Sequence, residues 1–107
     1  MIRTLLVDDE AHCIATLRWH IEVYCPQVQI IDTYSSGAEG LTGICTHQPD
    51  LVFLDIAMPQ MSGFDMLQRL AVIDFHVIFT TDYDLRVIHA IRFSALDYII
   101  KPIDKEE

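Results

Sequence analysis

Several apolar segments of this chain end in polar residues of the kinds that cooperate in one reaction. The polar residues at these ends are Asp8, Asp9, Asp55, Thr80, Thr81 and Lys101. In an open parallel sheet with alternating helices, ligands bind outside the carboxyl ends of the strands, so residues far apart in sequence can share one crevice. The sequence therefore predicts a parallel α/β sheet whose functional residues, suited to phosphoryl transfer onto aspartate, lie along one edge.

Strand-like and helical patterns alternate along the chain. The predicted strands are 3–8, 28–34, 51–55, 77–81 and 98–101, and helices are predicted near 14–24, 38–45, 64–70 and 85–93. A continuous apolar run such as 51–55 is typical of a strand that is buried on both faces. Five strands alternating with four helices favour a parallel sheet with right-handed crossovers.

The second and third helices carry candidate N-terminal caps. Ser36 followed by Glu39 fits a capping box, and Ser62 is a plausible cap for the third helix. In the second helix, Leu41 and Cys45 share one face with residue 38. Glycines at positions 40 and 43 are expected to weaken that helix.

Length and charge exclude several classes of function. At 107 residues the chain is expected to form one domain, 1–107, and no apolar run reaches the roughly 18 residues that a membrane span requires. The net charge of −9 would repel nucleic-acid phosphates. The cysteines lack disulfide or zinc-site spacing and are expected to be small packing residues. We therefore expect a cytoplasmic domain that binds neither membrane nor nucleic acid directly.

Asp55 is the candidate nucleophile, because a carboxylate at the end of a buried strand can accept a phosphoryl group as an aspartyl phosphate. Asp8 and Asp9, at the neighbouring strand end, are candidate ligands of Mg²⁺, which prefers hard oxygen donors. These three acids form the predicted reaction centre.

Two further residues complete the predicted centre. Lys101 would contact the phosphoryl oxygens as a point charge. The hydroxyl of Thr81 would donate a hydrogen bond to the same group. Thr80 is the alternative hydroxyl if the strand register differs by one residue, since neighbouring strand residues face opposite sides.

With these residues in place, the chain resembles the receiver domain of bacterial two-component response regulators over essentially its full length. The resemblance is carried by Asp8-Asp9, by Leu-Asp55-Ile-Ala-Met-Pro59 with Gly63, and by Lys101-Pro102. The stretch 93–102 resembles the LytTR subgroup. The resemblance implies a flavodoxin-like (CheY-like) doubly wound sheet of five parallel strands in the order 2-1-3-4-5.

The resemblance also implies roles and partners. Asp55 would take a phosphoryl group from a sensor histidine kinase. Asp9, Asp55 and the backbone carbonyl of Ala57 would bind Mg²⁺, and Asp8 would assist through water. Thr81 and Tyr98 would form a switch pair that changes an interaction surface. In the LytTR subgroup a DNA-binding domain follows the receiver, so regulation of transcription is implied for the parent protein.

Two features depart from the family pattern. Asp82 follows Thr81 where the family usually has a small residue, so its carboxylate either repels the incoming phosphoryl group or caps the fourth helix. The sequence also stops six residues after Lys101, so the final helix is expected to be absent. Either the chain is truncated after strand five, or the uncovered apolar face is buried against another chain, for example in a homodimer.

The favoured function is a phosphorylation switch and not an enzyme that acts on a diffusible substrate. Two alternative functions stay open. The first is a degenerate receiver that binds partners without phosphorylation. The second is a Mg²⁺-dependent phosphohydrolase of haloacid-dehalogenase type. That class carries a second acid two residues after its nucleophile, where this chain has Ala57.

Overall fold

The computed structural model describes residues 1–81 and 97–100, with side chains through residue 80. Its strands are β1 (Ile2–Val7), β2 (Val28–Tyr34), β3 (Leu51–Asp55), β4 (His76–Thr81) and β5 (Asp97–Ile100). Its helices are α1 (Ala11–Tyr24), α2 (Gly37–His47) and α3 (Gly63–Gln68). The predicted alternation is confirmed up to β4, with strand ends that differ from the predicted ones by at most one residue. Among these described residues, no helix is long and apolar enough to cross a membrane.

The strands form one parallel sheet in the order β2-β1-β3-β4-β5. The predicted order 2-1-3-4 is confirmed, and the backbone of β5 pairs with β4 where the fifth strand was expected. β3 lies at the centre, and all five of its residues are buried. This central position explains why its sequence is a continuous apolar run.

Apolar side chains cover both faces of the sheet. On one face, Leu5, Val7 and Leu54 belong to a cluster that includes residues of α2 and α3. On the other face, Leu6 and Phe53 pack with residues of α1. Adjacent strand residues therefore point to opposite layers, as the strand period requires. Packing on both sides fixes the strands, and with them the positions of their carboxyl ends.

The buried face of α2 differs in part from the predicted one, although Leu41 packs against the core as expected. Ala38 and Cys45 are exposed, so Cys45 is not the packing residue that was expected. The buried residues of the helix are Gly37, Gly40, Gly43 and Ile44. A Cβ at position 40 would lie 3.1 Å from Cγ1 of Val7 and 3.1 Å from Sδ of Met66. The glycines therefore allow α2 to approach the sheet and α3 closely, and a hydrophobic pattern misses such a face because glycine has no side chain.

β2 is an edge strand with an irregularity in its pairing. Its register against β1 shifts between Thr4 and Leu5, which leaves Ile31 as the extra residue of a bulge. Ile30 packs on the α1 side, whereas Ile31 and Tyr34 pack on the α2 side. The bulge thus directs Tyr34, the last residue of β2, toward α2.

Several predictions concern residues outside the described part of the chain. These are the fourth helix near 85–93, Asp82, Lys101 and the expected absence of a final helix. Tyr98 lies in β5, where only the backbone is described.

Candidate functional site

Four carboxylates meet at the carboxyl edge of the sheet. Asp8, Asp9, Glu10 and Asp55 each offer one oxygen atom, and these oxygens all lie within 4.8 Å of one another. The cluster forms because β1 and β3 are adjacent parallel strands, with Val7 paired to Leu54, so the residues that follow or end them emerge side by side. The structure therefore brings together the three acids chosen from the sequence and adds Glu10.

Burial divides the acidic cluster into an inner and an outer half. Asp55 is 2% exposed and Asp8 is 5% exposed, whereas Asp9 and Glu10 are exposed. A carboxylate at low exposure is costly to keep charged unless a cation or hydrogen-bond donors compensate for lost water. The inner half can hold reacting groups in place, while the outer half faces the solvent from which a ligand arrives.

Asp8 is held by hydrogen bonds at both its backbone and its side chain. Its N–H donates to the carbonyl of Tyr34 over 3.0 Å. Its Oδ1 accepts a hydrogen bond of 2.9 Å from the N–H of Glu10. Glu10 is the N-cap of α1, but its side chain makes no capping hydrogen bond. The turn between β1 and α1 is therefore ordered around the Asp8 carboxylate.

The loop after Asp55 closes tightly against β3. The N–H of Gly63 donates to the carbonyl of Ile56 over 2.7 Å. A Cβ at position 63 would overlap the carbonyl oxygen of Asp55 and would lie 3.1 Å from Cγ of Leu54. Ala57 lies in this loop and is exposed. Only glycine allows the start of α3 to approach the backbone of Asp55 this closely.

A reciprocal capping box anchors the far end of the same loop. Ser62 Oγ accepts from the N–H of Asp65 over 3.1 Å, and Asp65 Oδ2 accepts from the N–H of Ser62 over 3.1 Å. This confirms Ser62 as the predicted N-cap of α3.

The end of β4 lies next to Asp55. Thr80 is paired with Asp55 in the sheet, and its carbonyl accepts from the N–H of Ile56 over 3.2 Å. Its side chain is 2% exposed. Thr81 is the next residue and ends the strand, but its side chain lies outside the described residues. The register thus places Thr80 level with Asp55 and Thr81 one step nearer the carboxyl edge.

A cavity of about 330 Å³ lies beside the acidic cluster, between the carboxyl ends of β1 and β2. Asp8, Asp9, Thr33, Tyr34 and Glu39 are among the residues that line it. Burial raises the pKa of the Tyr34 hydroxyl above its ordinary value, and the charge of Asp32 and a hydrogen bond to it act in the same direction. The hydroxyl of Tyr34 is therefore neutral at physiological pH.

The donor set suits a hard divalent cation. Asp8, Asp9, Glu10 and Asp55 provide only oxygen ligands, which Mg²⁺ prefers over nitrogen and sulfur. Cys13 approaches Asp8 and Glu10 within the same 4.8 Å limit, but thiolates favour softer metals. The chemistry of the cluster therefore fits the magnesium site that was predicted from the sequence.

Two residues of this region had no role assigned from the sequence. Glu10 was visible as the third acid of an acidic run after a strand, which is a usable signal. Tyr34 reaches the site only through the β1–β2 pairing and the bulge, and no local pattern reveals such an arrangement.

Comparison with known proteins gives a consistent result. Residues 4–107 match the family model of the response regulator receiver domain. The chain is 35% identical over 106 residues to the transcriptional regulatory protein BtsR of Escherichia coli, covering 98% of this chain and 44% of that protein. It is 33% identical over 108 residues to the sensory transduction protein LytT of Enterococcus faecalis, covering 99% and 44%. The chain thus spans less than half the length of these relatives.

Solved structures show the same fold. The CheX–CheY–BeF3–Mg²⁺ complex from Borrelia burgdorferi matches with a TM-score of 0.73 and 26% identity, covering 98% of this chain and 81% of that one.

Proposed function

The chain belongs to the response regulator receiver domain family, and on that premise we propose that Asp55 is its phosphoryl acceptor. Its function is that of a receiver in a two-component phosphorelay. The similarity to LytT agrees with the LytTR subgroup expected from the sequence. The observation that supports Asp55 most strongly is its place as a nearly buried carboxylate at the end of the central strand, inside a four-acid cluster.

In the proposed reaction, a carboxylate oxygen of Asp55 attacks the phosphorus atom of a phosphohistidine on the kinase. The bond from phosphorus to the histidine nitrogen breaks, and the phosphoryl group becomes an acyl phosphate on Asp55. The attachment of the surrounding loop supports this step, because contact with Gly63 restrains the backbone of Asp55. A restrained nucleophile loses little freedom on reaching the reactive geometry.

Asp8, Asp9 and Asp55 would hold Mg²⁺, together with the carbonyl of Ala57. Bound Mg²⁺ neutralises charge on the transferring phosphoryl group. The solved Borrelia complex carries Mg²⁺ together with BeF3, and the oxygen-only donor set here is compatible with the same ion. Glu10 extends the cluster on its exposed side.

Thr81, Tyr98 and Lys101 keep the roles predicted for them. Thr81 would donate to the phosphoryl group and, with Tyr98, form the switch, while Lys101 would contact the phosphoryl oxygens. The support for Thr81 over Thr80 is its position one residue nearer the carboxyl edge. We expect Thr81→Ala to slow the response to phosphorylation, and Thr80→Ala, a change at a buried position, mainly to lower the melting temperature.

The parent protein and its partners are inferred from the relatives. BtsR is a transcriptional regulatory protein, and the part of it that this chain matches is 44% of its length. We therefore propose one receiver domain, residues 1–107, a sensor histidine kinase as phosphodonor, and a DNA-binding output in the parent protein. The chain would act as a switch, not as an enzyme on a diffusible substrate. It would act in the cytoplasm, where kinases find ATP, and a homodimer is one assembly that would cover the apolar face left by a missing final helix.

Intact-mass spectrometry after incubation with acetyl phosphate and Mg²⁺ tests the proposal. The wild-type chain should gain one phosphoryl group, and hydroxylamine should remove it because acyl phosphates are labile. Asp55→Ala should gain none. Asp74→Ala, which changes an exposed acid far along the chain from the cluster, is the matched control and should behave as the wild type does.

The alternatives give different results in the same experiment. Mg²⁺ binding without any phosphoryl adduct would favour the degenerate receiver, which the carboxylate of Asp82 next to Thr81 makes worth testing. Continuous release of phosphate from small phosphate esters would favour the phosphohydrolase, although the match of residues 4–107 to the receiver family argues against it. An adduct on Asp55→Ala would refute the assignment of Asp55.

A further inference from the structure

Tyr34 links the acidic cluster to α2. At its backbone, the carbonyl oxygen accepts the hydrogen bond from the N–H of Asp8 over 3.0 Å. This bond lies where the β1–β2 pairing ends, since Val7 is paired with Tyr34. The backbone of Tyr34 therefore helps to set the direction in which Asp8 leaves the strand and enters the cluster.

The side chain of Tyr34 is fixed at the other end of this link. Its ring lies against α2 at Gly43, where a Cβ would overlap the ring atoms Cζ and Cε2 and the hydroxyl oxygen. Gly43 thus leaves a notch that the ring occupies, and we call this arrangement the Gly43 notch. Besides burial, the negative charge of Asp32, on the same strand, helps to raise the pKa of the hydroxyl.

The position of β2 in the sheet makes this anchoring important. β2 is an edge strand, so it pairs with β1 alone, and its bulge at Ile31 interrupts that pairing. An edge strand with a bulge is held by fewer ladder bonds than an interior strand. The location of its last residue therefore depends strongly on side-chain packing, and the ring of Tyr34 packs in the Gly43 notch.

We infer that Tyr34 is a positioning residue for the proposed Mg²⁺ site, because its ring in the Gly43 notch holds the carbonyl that orients Asp8. The inference rests on the proposed function, since it concerns the affinity of the metal site proposed there. Groups that orient metal ligands typically change metal affinity by about 10–100-fold when they are removed. The carbonyl of Tyr34 survives any side-chain substitution, so we expect a smaller effect for loss of the ring, about five- to tenfold in the dissociation constant for Mg²⁺.

Isothermal titration calorimetry with Mg²⁺ on the full 107-residue chain, paired with thermal melting, tests the inference. Tyr34→Ala should bind Mg²⁺ about five- to tenfold more weakly. Tyr34→Phe keeps the ring in the notch and should bind within about twofold of the wild type, because it loses only the hydroxyl. Gly43→Ala should weaken binding, since its methyl group displaces the ring.

A double-mutant cycle separates displacement of the ring from a general effect on α2. In the Tyr34→Ala background, Gly43→Ala should have no further effect on Mg²⁺ affinity, because no ring is left to displace. Thr46→Ala is the matched control: it also introduces alanine on α2, but at an exposed position, and should leave the affinity unchanged.

The outcomes distinguish the inference from the function on which it rests. A lower melting temperature for Tyr34→Ala with unchanged Mg²⁺ affinity would make the ring purely structural and would overturn the inference alone. Loss of affinity in Thr46→Ala equal to that in Gly43→Ala would also overturn it. Absence of Mg²⁺ binding in the wild type would overturn the proposed metal site itself. If Tyr34→Ala does not fold, Tyr34→Leu and Gly43→Ala provide the same comparison.

Discussion

Replacing Gly63 with alanine should both destabilise the fold and slow phosphorylation of Asp55. Gly63 is the first residue of α3, and a Cβ there would overlap the carbonyl oxygen of Asp55. Real Cβ atoms essentially never approach another heavy atom within 3.0 Å. The obstructing atom belongs to the backbone of a buried central strand and not to a flexible side chain. The strain must therefore move either the start of α3 or Asp55 itself.

The size of the effect follows from this geometry. Overpacking of a tight contact costs about 1–3 kcal/mol, while replacing glycine restricts the unfolded chain and returns about 0.4–1 kcal/mol. The net loss should be about 1–2 kcal/mol, which lowers the melting temperature of a domain of this size by about 4–15 °C. A displacement of Asp55 by about half an ångström should slow phosphoryl transfer about tenfold, since misplacement by about 1 Å can cost about a hundredfold.

Gly37→Ala provides the matched control. Gly37 is also the first residue of a helix and follows a serine N-cap, but a Cβ there would meet Sδ of Met61 at 2.8 Å. That sulfur belongs to a flexible side chain and can move aside. Thermal melting by circular dichroism and the rate of acetyl-phosphate labelling would be measured for both variants. If Gly63→Ala has the same melting temperature and the same labelling rate as Gly37→Ala, the close approach at position 63 does not constrain Asp55 and the reasoning is wrong.

Three other predictions follow from the site and its supports. Mg²⁺ at about one hundred times its dissociation constant should stabilise the wild type by about 2.7 kcal/mol and raise its melting temperature. Asp9→Ala should remove most of that rise. A full rise in the variant would mean that Asp9 is not a ligand. Ser62→Ala should lower the free energy of unfolding in urea by about 1 kcal/mol through loss of the cap on Asp65 N–H, whereas an unchanged value would show that the capping box contributes nothing. The raised pKa of Tyr34 means that the folded state keeps this proton above pH 10.0, where an unfolded tyrosine ionises, so its contribution to stability is complete below pH 10.0 and is lost as the pH rises through the folded-state pKa. In urea unfolding, Tyr34→Phe should therefore lose less stability than the wild type between neutral and alkaline pH. Equal losses in the two proteins would contradict the assignment.

Most of the described fold could be predicted from local patterns. The run 51–55 coincides with β3, because a strand buried on both faces of a parallel sheet requires continuous apolar sequence. The predicted bounds 28–34 also coincide with β2, an edge strand whose residues are only partly buried or exposed. The serine caps at Ser36 and Ser62 were also recognisable, since each accepts a hydrogen bond from the backbone three residues later. The buried face of α2 could not be predicted, because its contacts are made by glycines that contribute nothing to a hydrophobic pattern.

The candidate site was predictable in part for the same physical reason. Asp8, Asp9 and Asp55 stand directly at strand ends, and the rule that parallel strands end at one edge brings them together. Glu10 joins them through the turn that its N–H makes with Asp8. Whether Thr81 contacts a phosphoryl group stays a prediction.

The sequence by itself determined the order of strands and helices, the acidic edge and the kind of chemistry that edge can support, because each depends on the type of residue at a local position. Only the tertiary structure decided how the site is supported. The bulge in β2 and the approach of α2 through its glycines arise between segments that are distant in the chain, and the contact of Gly63 with the backbone of Asp55 depends on how the loop between them closes. These contacts depend on how closely two elements can approach, which is a property of the packed molecule and leaves no periodic trace in the sequence.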